Sequence, residues 1–385
     1  VKKALKKANF PDTFMVGKYA CSPYMACGHG CTYCDGRAER YYVEGDFDKD
    51  IVARPNLPEL LERELPRLRE RGIITLGSGI TDAYQPVEAK LRLTGRVAEA
   101  LSRFDFPVTL LTKSSLPLRD IDYWREVNKK AGFTLLITLN HGDDTTRHQF
   151  EPGAATVEER LEVLKAFKKE GCATGIMAMP LLPRITDTEE HIRTLYELAL
   201  EAEADFFFPG GLTLRPGRQK ECFLASVKEY YPGLLGLYGE IYREERTSGT
   251  GTIEYQKLLG EKIQKVNRIY KLSPLLPHIL YRNKLQLYDE VYVLLSHMIE
   301  LFAEKHIDTS PLKRAYRRYK DWLGERKKLY NRRPSLHYRD LEGELMETAQ
   351  KGGLEALLKN KKLSRFLKEV IIDRKTFNYV TLSLE

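Results

Sequence analysis

Three of the chain's six cysteines fall in CGHGCTYC, residues 27–34 of 385. Cys27, Cys31 and Cys34 stand as C-x3-C-x2-C, a spacing at which soft thiolates on one loop reach one metal centre. A structural zinc ion takes four ligands, commonly as two C-x2-C-type pairs distant in sequence, and no second pair follows. His29 could complete a zinc set from within the loop. It stands two residues from both Cys27 and Cys31, however, where a tight turn would strain to place all four ligands on one ion. A [4Fe–4S] cluster takes one thiolate per iron, so three cysteines leave one iron without a protein ligand. Open metal positions serve substrates and cofactors, and closed ones serve structure. Cys21, Cys172 and Cys222 are scattered, so the six form no disulfide framework, and the cluster points to metal binding in a reducing compartment.

These side chains need a scaffold, and the periodicity supplies one. From residue 51 onward, segments with helical leucine spacing alternate with short apolar runs: LPELLERELPRLRERG then IITLG, VEAKLRLTGRVAEALSRF then FPVTLLT, LRDIDYWREVNKKAG then FTLLITL. TVEERLEVLKAFKKEG, ATGIMAMPLL, DTEEHIRTLYELALEAEA and DFFFPGGLTL continue the pattern. Nearly continuous apolar strands between amphipathic helices indicate parallel strands covered by helices. The expected class is α/β, a partial parallel (β/α)6 TIM-like barrel, in which ligand chemistry gathers on the loops leaving the C-terminal strand ends. After Leu214 the pattern turns helical, through EYQKLLGEKIQKVNRIYKL, DEVYVLLSHMIELFAEKH and PLKRAYRRYKDWLGERKKLYNRR. The expected division is a core over residues 1–260 and a basic, mostly helical region over 261–385.

The motifs carry a resemblance. CGHGCTYC, SGITDAYQP (78–86), TKSSLPLRD (112–120), TLNHGDDTTRHQFEPGAATVEERLE (138–162) and GIMAMPLLP (175–183) resemble, in order and spacing over residues 20–235, the radical S-adenosylmethionine (SAM) superfamily. Within it they are similar to the branch that contains spore photoproduct lyase. The resemblance implies a [4Fe–4S] cluster on Cys27, Cys31 and Cys34, with the amino and carboxylate groups of SAM on the fourth iron. It implies an external one-electron reductant of flavodoxin or ferredoxin type, and a 5′-deoxyadenosyl radical that abstracts hydrogen from substrate.

It also assigns site residues. Tyr33 should sit against the adenine of SAM, with ordinary packing as the alternative. Ser78 and Thr81, at the end of IITLG, should reach the amino group or ribose of SAM, as should Thr138 and Asn140 in ITLNH. Asp82, Tyr84 and Gln85 follow on a rim loop suited to contacts, and Tyr84 is a candidate for substrate chemistry. Lys113 leaves an apolar strand and should meet a carboxylate, in the relatives that of SAM. His141 is a proton-transfer candidate by type only. Glu151 and Arg160 read as a structural ion pair, with Thr156 as a helix N-cap. Met177 and Met179 read as core or pocket wall. In repair lyases a cysteine returns hydrogen to the product radical. That position is Gly79 here, which leaves Cys21 as the candidate donor and puts thymine-dimer repair in doubt.

The composition, 42% hydrophobic and 30% charged, excludes disordered, collagenous and membrane classes. No apolar run reaches the roughly 18 residues of a membrane span, and VKKALKKANF has no signal-peptide core, so a cytoplasmic protein is expected. Residues 261–385 hold 26 Lys+Arg against 16 Asp+Glu, while residues 1–260 hold 36 against 38. That excess, with interleaved tyrosines, suits DNA or RNA as a partner, or else a solvated helical surface. Three functions follow: radical chemistry on a nucleic acid, the same chemistry on a peptide or small metabolite, or a non-catalytic metal-cluster module that binds nucleic acid.

Overall fold

The computed structural model describes residues 1–77, 79–333 and 336–385. Seven strands form one sheet: β1 (Lys6–Lys7), β2 (Gly17–Cys21), β3 (Ile73–Leu76), β4 (Val108–Thr112), β5 (Phe133–Thr138), β6 (Ala173–Leu181) and β7 (Phe206–Gly211), each beside its neighbour in chain order. β1 and β2 are antiparallel. β4 to β7 are parallel, with Val108 opposite Phe133, Thr134 opposite Ala173 and Gly175 opposite Phe206. Strands β3, β4 and β5 are buried at every residue, which is why they read as unbroken apolar or β-branched runs rather than as alternation. Between them lie helices α1 (Leu93–Leu101), α2 (Ile121–Lys130), α3 (Asp144–Phe150), α4 (Val157–Lys169) and α5 (Glu189–Glu201), followed by α6 (Arg218–Tyr230) and α7 (Ile253–Tyr270). This is the α/β partial barrel that the sequence pattern predicts.

One expected helix divides in two. VEAKLRLTGRVAEALSRF forms Glu88–Leu91 and α1, with Arg92 between them at φ 49°. The buried Glu88 carboxylate accepts from the backbone amides of Thr94 (2.9 Å) and Gly95 (3.2 Å). It thereby satisfies orphan donors of the second helix and fixes the break. At α4 the Thr156 hydroxyl accepts from Glu159 N at 3.2 Å and the Glu159 carboxylate from Thr156 N at 2.7 Å, a reciprocal cap.

The chain forms two compact units. The first comprises residues 1–5, 21–63 and 75–274, and the second 6–20, 64–74 and 275–385. The second contains α8 (Leu287–Glu304), α9 (Ser310–Arg332), α10 (Tyr338–Gln350) and α11 (Lys361–Ile371). Its interior holds four charges. Asp289 accepts from Lys18 at 2.9 Å and Lys327 at 2.6 Å, and Glu70 lies 3.5 Å from each lysine. Two cations and two anions balance, and each side chain is at most 1% exposed. Among the described residues no helix is long and apolar enough to cross a membrane.

Candidate cofactor site

A cavity of about 420 Å3 opens at the C-terminal ends of the parallel strands of the first unit. β3 leads into Gly79, Thr81 and Asp82 on its wall, β4 ends in Thr112 and Lys113, and β5 ends in Thr138. β6 adds Met177 and Met179, and β7 adds Gly210 and Gly211. All three clustered cysteines line this cavity, on the face where α/β barrels place their chemistry.

The cysteine loop is pinned by long-range hydrogen bonds. Thr81 Oγ1 and Gln85 Nε2 both donate to the Ala26 carbonyl (2.7 and 3.0 Å), and the Gly28 amide donates to Gln85 Oε1 at 2.8 Å. Arg37, held by the Asp48 carboxylate at 2.7 Å, donates through Nε to the Cys31 carbonyl at 2.9 Å. Between the first two cysteines Gly30 adopts φ +67°, a left-handed conformation that a side chain disfavours. The helix-entry loop supports the turn closely: a Cβ at Gly153 would meet the Gly28 carbonyl oxygen at 2.8 Å.

His29 does not complete a ligand set here. Its Nε2 lies 3.1 Å from Asp82 Oδ2 and its Nδ1 2.9 Å from the Gly153 carbonyl, so both ring nitrogens are engaged. Asp82 is the hub of this corner, accepting also from the amides of Lys113 and Tyr84 and from the Thr112 hydroxyl, each at 2.8 Å. Burial alone would raise the Asp82 pKa. The His29 contact and the two amides outweigh it and hold the carboxyl below its ordinary value.

The donor set fits an iron–sulfur cluster. Among the described residues no three His, Cys, Asp or Glu side chains close around a single ion. A cluster asks instead for one thiolate per iron on a shared wall, which Cys27, Cys31 and Cys34 provide. Burial raises all three thiol pKa values, that of Cys27 to about 12, so iron binding would have to displace their protons.

Beside the thiols sits a second charged group. Glu151, fully buried, pairs with Arg160 at 2.5 Å and accepts from the Tyr33 hydroxyl. Lys113 Nζ lies 3.8 Å from Glu151 and 5.8 Å from the Tyr33 ring centre. Burial would raise the Glu151 pKa, but Arg160 and then Lys113 drive it well below the carboxylate range. The carboxylate thus fixes the Tyr33 ring on the cavity wall and holds one cation nearby. Asn140 Nδ2 donates to the Pro180 carbonyl at 3.0 Å and the Tyr33 oxygen at 3.3 Å.

The structure therefore brings Tyr33, Thr81, Lys113 and Thr138 to the cavity with the cysteines. Ser78 lies outside the described residues. Asn140 backs the wall through Tyr33 rather than lining it. Tyr84 is fully buried, donating to Asp120 at 3.0 Å and accepting from the Trp124 indole at 2.9 Å, and Cys21 is buried at the end of β2. Neither lines the cavity. His141 is buried against Phe150, ring centres 6.0 Å apart, as a packed residue. Sequence reasoning missed Arg37 and Gln219. Gln219, buried on α6, donates to the Tyr33 carbonyl at 2.9 Å and the Thr213 carbonyl at 2.8 Å. Its position opening an amphipathic helix was the available signal.

Comparison with known proteins agrees. The family model described as the radical SAM superfamily matches residues 21–199. An uncharacterised protein of Mycobacterium tuberculosis (strain H37Rv) is 29% identical over 261 residues, 66% of this chain and 75% of that protein. The radical SAM Nα-GlyT isomerase of Pseudomonas phage M6 is 26% identical over 176 residues, 44% of this chain and 34% of that protein. The solved structure of spore photoproduct lyase complexed with dinucleoside spore photoproduct superposes with a TM-score of 0.51 at 16% identity, covering 70% of this chain and 78% of that one; this likeness establishes the fold. The family's chemistry takes SAM and an iron–sulfur cluster. With three thiols on one cavity at the strand ends and the family match across the same stretch, residues 21–199 of the chain form a domain of radical SAM type.

Proposed function

We propose that Cys27, Cys31 and Cys34 hold a [4Fe–4S] cluster whose fourth iron takes SAM, and that the enzyme abstracts hydrogen from a nucleic-acid substrate. The observation that carries the cofactor reading is that three thiols share the cavity while both nitrogens of His29 are engaged elsewhere. A cluster held by these three thiols would supply one electron to the sulfonium of SAM, so that the S–C5′ bond would break to methionine and a 5′-deoxyadenosyl radical able to take hydrogen from substrate. The chain's own residues bind and orient. Lys113, 18% exposed on the cavity wall, offers a cation to the SAM carboxylate. Tyr33 offers a ring to adenine, and Thr81 and Thr138 offer hydroxyls on the same wall. The reductant belongs to the flavodoxin or ferredoxin class.

The nucleic-acid part rests on α9. Lys313, Arg317, Lys320 and Lys328 follow one another at spacings of four, three and eight residues, so they form one stripe of the helix. All four are exposed, and none forms an ion pair among the described residues. Such a row of cations, with Lys320 also 5.7 Å from the Phe10 ring centre, suits phosphates.

Anaerobic reconstitution with iron and sulfide tests the reading. The expected outcome is about four irons per chain and 5′-deoxyadenosine formed from SAM plus reductant, with both lost in Cys31→Ala. A colourless protein carrying one zinc and making no 5′-deoxyadenosine would sink it. Transfer of deuterium into 5′-deoxyadenosine from labelled oligonucleotides, and not from labelled peptides, is expected for the substrate class. Binding of oligonucleotide that is unchanged when Lys313, Arg317 and Lys320 become Gln would remove α9 from the account.

A further inference from the structure

The cation row of α9 has a gap, and an aromatic ring fills it. After Lys313, Arg317 and Lys320 the next position on the same stripe is 324, which is glycine, and Lys328 follows. Phe10 reaches this gap from an earlier stretch of the same unit: a Cβ on Gly324 would stand 3.6 Å from Phe10 Cζ. The Phe10 ring centre lies 4.9 Å from that of Tyr292, with the planes 32° apart, and Tyr292 lies 5.4 Å from Tyr316. Three rings therefore run beside the cations. The middle one, Tyr292, is buried, whereas Phe10 and Tyr316 are half-buried.

Two lysines flank Phe10, and they differ. Lys327 Nζ, 5.3 Å from the ring centre, is buried and fixed on Asp289 at 2.6 Å. Lys320 Nζ, 5.7 Å away, belongs to an exposed residue, and an exposed cation–π contact is weak. Its ammonium can leave the ring for a phosphate while a base takes its place. The charge of the helix favours such a ligand. Six cations of α9 are exposed, Lys313, Arg314, Arg317, Lys320, Lys328 and Arg332, against two exposed acids, Asp321 and Glu325. Asp308, ahead of the helix, accepts from the Ser310 amide at 2.9 Å and acts on the Lys313 end.

Rings set among cations distinguish between forms of nucleic acid. A duplex keeps its base faces inside the stack and shows only edges in its grooves, so a surface ring cannot stack on them without unpairing. In a single strand every base offers a face to an aromatic side chain while cations follow the phosphates. We propose that this face of α9, about 22 Å long at 1.5 Å per residue, binds single-stranded nucleic acid in preference to duplex, with a base against Phe10 and neighbouring phosphates on Arg317, Lys320 and Lys328. This preference rests on the nucleic-acid reading of α9 given above and specifies the form of the strand.

Fluorescence anisotropy with the full chain at low salt tests it, using labelled oligothymidylate of about twelve nucleotides and a hairpin duplex with the same number of phosphates. Oligothymidylate neither pairs with itself nor carries adenine, which the cofactor cavity would recognise. The single strand is expected to bind at least about tenfold more tightly than the duplex. Phe10→Leu keeps an apolar side chain on Tyr292 but removes the ring face. It should weaken single-strand binding about tenfold, leave duplex binding unchanged and keep the slope of log affinity against log salt, whereas Phe10→Tyr should bind normally. Lys320→Gln should weaken both ligands and reduce that slope by about one. A measurement that needs no variant is photocrosslinking of the unaltered protein to an oligonucleotide carrying 5-iodouracil, with the adduct expected at Phe10 or Tyr316. Duplex bound as tightly as single strand, a folded Phe10→Leu protein that binds normally, or adducts at neither ring would each overturn the single-strand preference and leave the α9 reading in place. Binding of neither oligonucleotide would remove both.

Discussion

At the residue scale, Glu151 is the charge on which the cavity wall depends. Arg160 is fully buried and reaches the Thr138 carbonyl at 2.8 Å and the Ala155 carbonyl at 2.9 Å, but Glu151 is its counter-charge. Glu151→Gln keeps the shape and removes the charge, leaving a buried guanidinium uncompensated. We expect a loss of about 3–5 kcal/mol, read as a lower urea midpoint, with partial recovery when Arg160→Met is added. A change within about 0.5 kcal/mol would show that water compensates the guanidinium. Gly79 makes a contrasting case. A Cβ built there meets nothing within 4 Å, and the residue lines the cavity. Gly79→Cys should therefore fold without penalty, or gain up to about 1 kcal/mol by restricting the unfolded chain, and present a thiol that a thiol-reactive probe counts as accessible. A lowered melting temperature would contradict the open space.

At the element scale, the loop after α3 and the cysteine loop are packed backbone to backbone. Gly153→Ala would drive a methyl into the Gly28 carbonyl, and the backbone there has little freedom to retreat. Iron content after reconstitution should fall by more than half, while far-ultraviolet circular dichroism stays unchanged. Full iron loading would mean that the loop yields. The sequence made the strands legible because burial on both faces leaves a strand nothing but apolar and β-branched positions to show. It made Thr156 legible as a cap, since Glu159 follows three residues later. The break at Arg92 was not legible, because Glu88 reaches forward to Thr94 and Gly95 within what looks like one amphipathic run. Nor were Arg37, Gln219 and the double engagement of His29. Their partners lie up to 186 residues away, and only the fold brings them together. The three cysteines could be grouped from spacing alone, whereas Tyr84, on the loop after β3, serves a buried hydrogen-bond network.

At the scale of the molecule, acid should weaken the fold in two steps. His141 and His297 are buried, and burial lowers both pKa values to about 4 from an ordinary 6.5. The unfolded chain therefore binds more protons than the folded one between those values, and stability falls as pH drops from 6.5 to 4. Each histidine contributes up to roughly 3 kcal/mol of that loss. Glu70 behaves as a depressed carboxylate: burial would raise its pKa, but Lys327, Lys18 and Lys7 bring it down to about 2. Its contribution is present above 4.5 and is lost as pH falls through about 2. Denaturant midpoints measured from pH 7 to 3 should trace the first step, and His297→Gln should flatten it. A midpoint unchanged between pH 6.5 and 4 would contradict the buried neutral state of both rings.

The discontinuous second unit also has a consequence in time. Lys18 and Asp289, which meet in its interior, are 271 residues apart in the chain. At a synthesis rate of about 5–20 residues per second, the early lysine waits roughly 15–50 s on the ribosome before its partner emerges. Until then Lys18 and, once made, Glu70 must remain hydrated or be sheltered, so emergence of Asp289 and Lys327, rather than collapse of the early chain, sets the moment at which this interior can close.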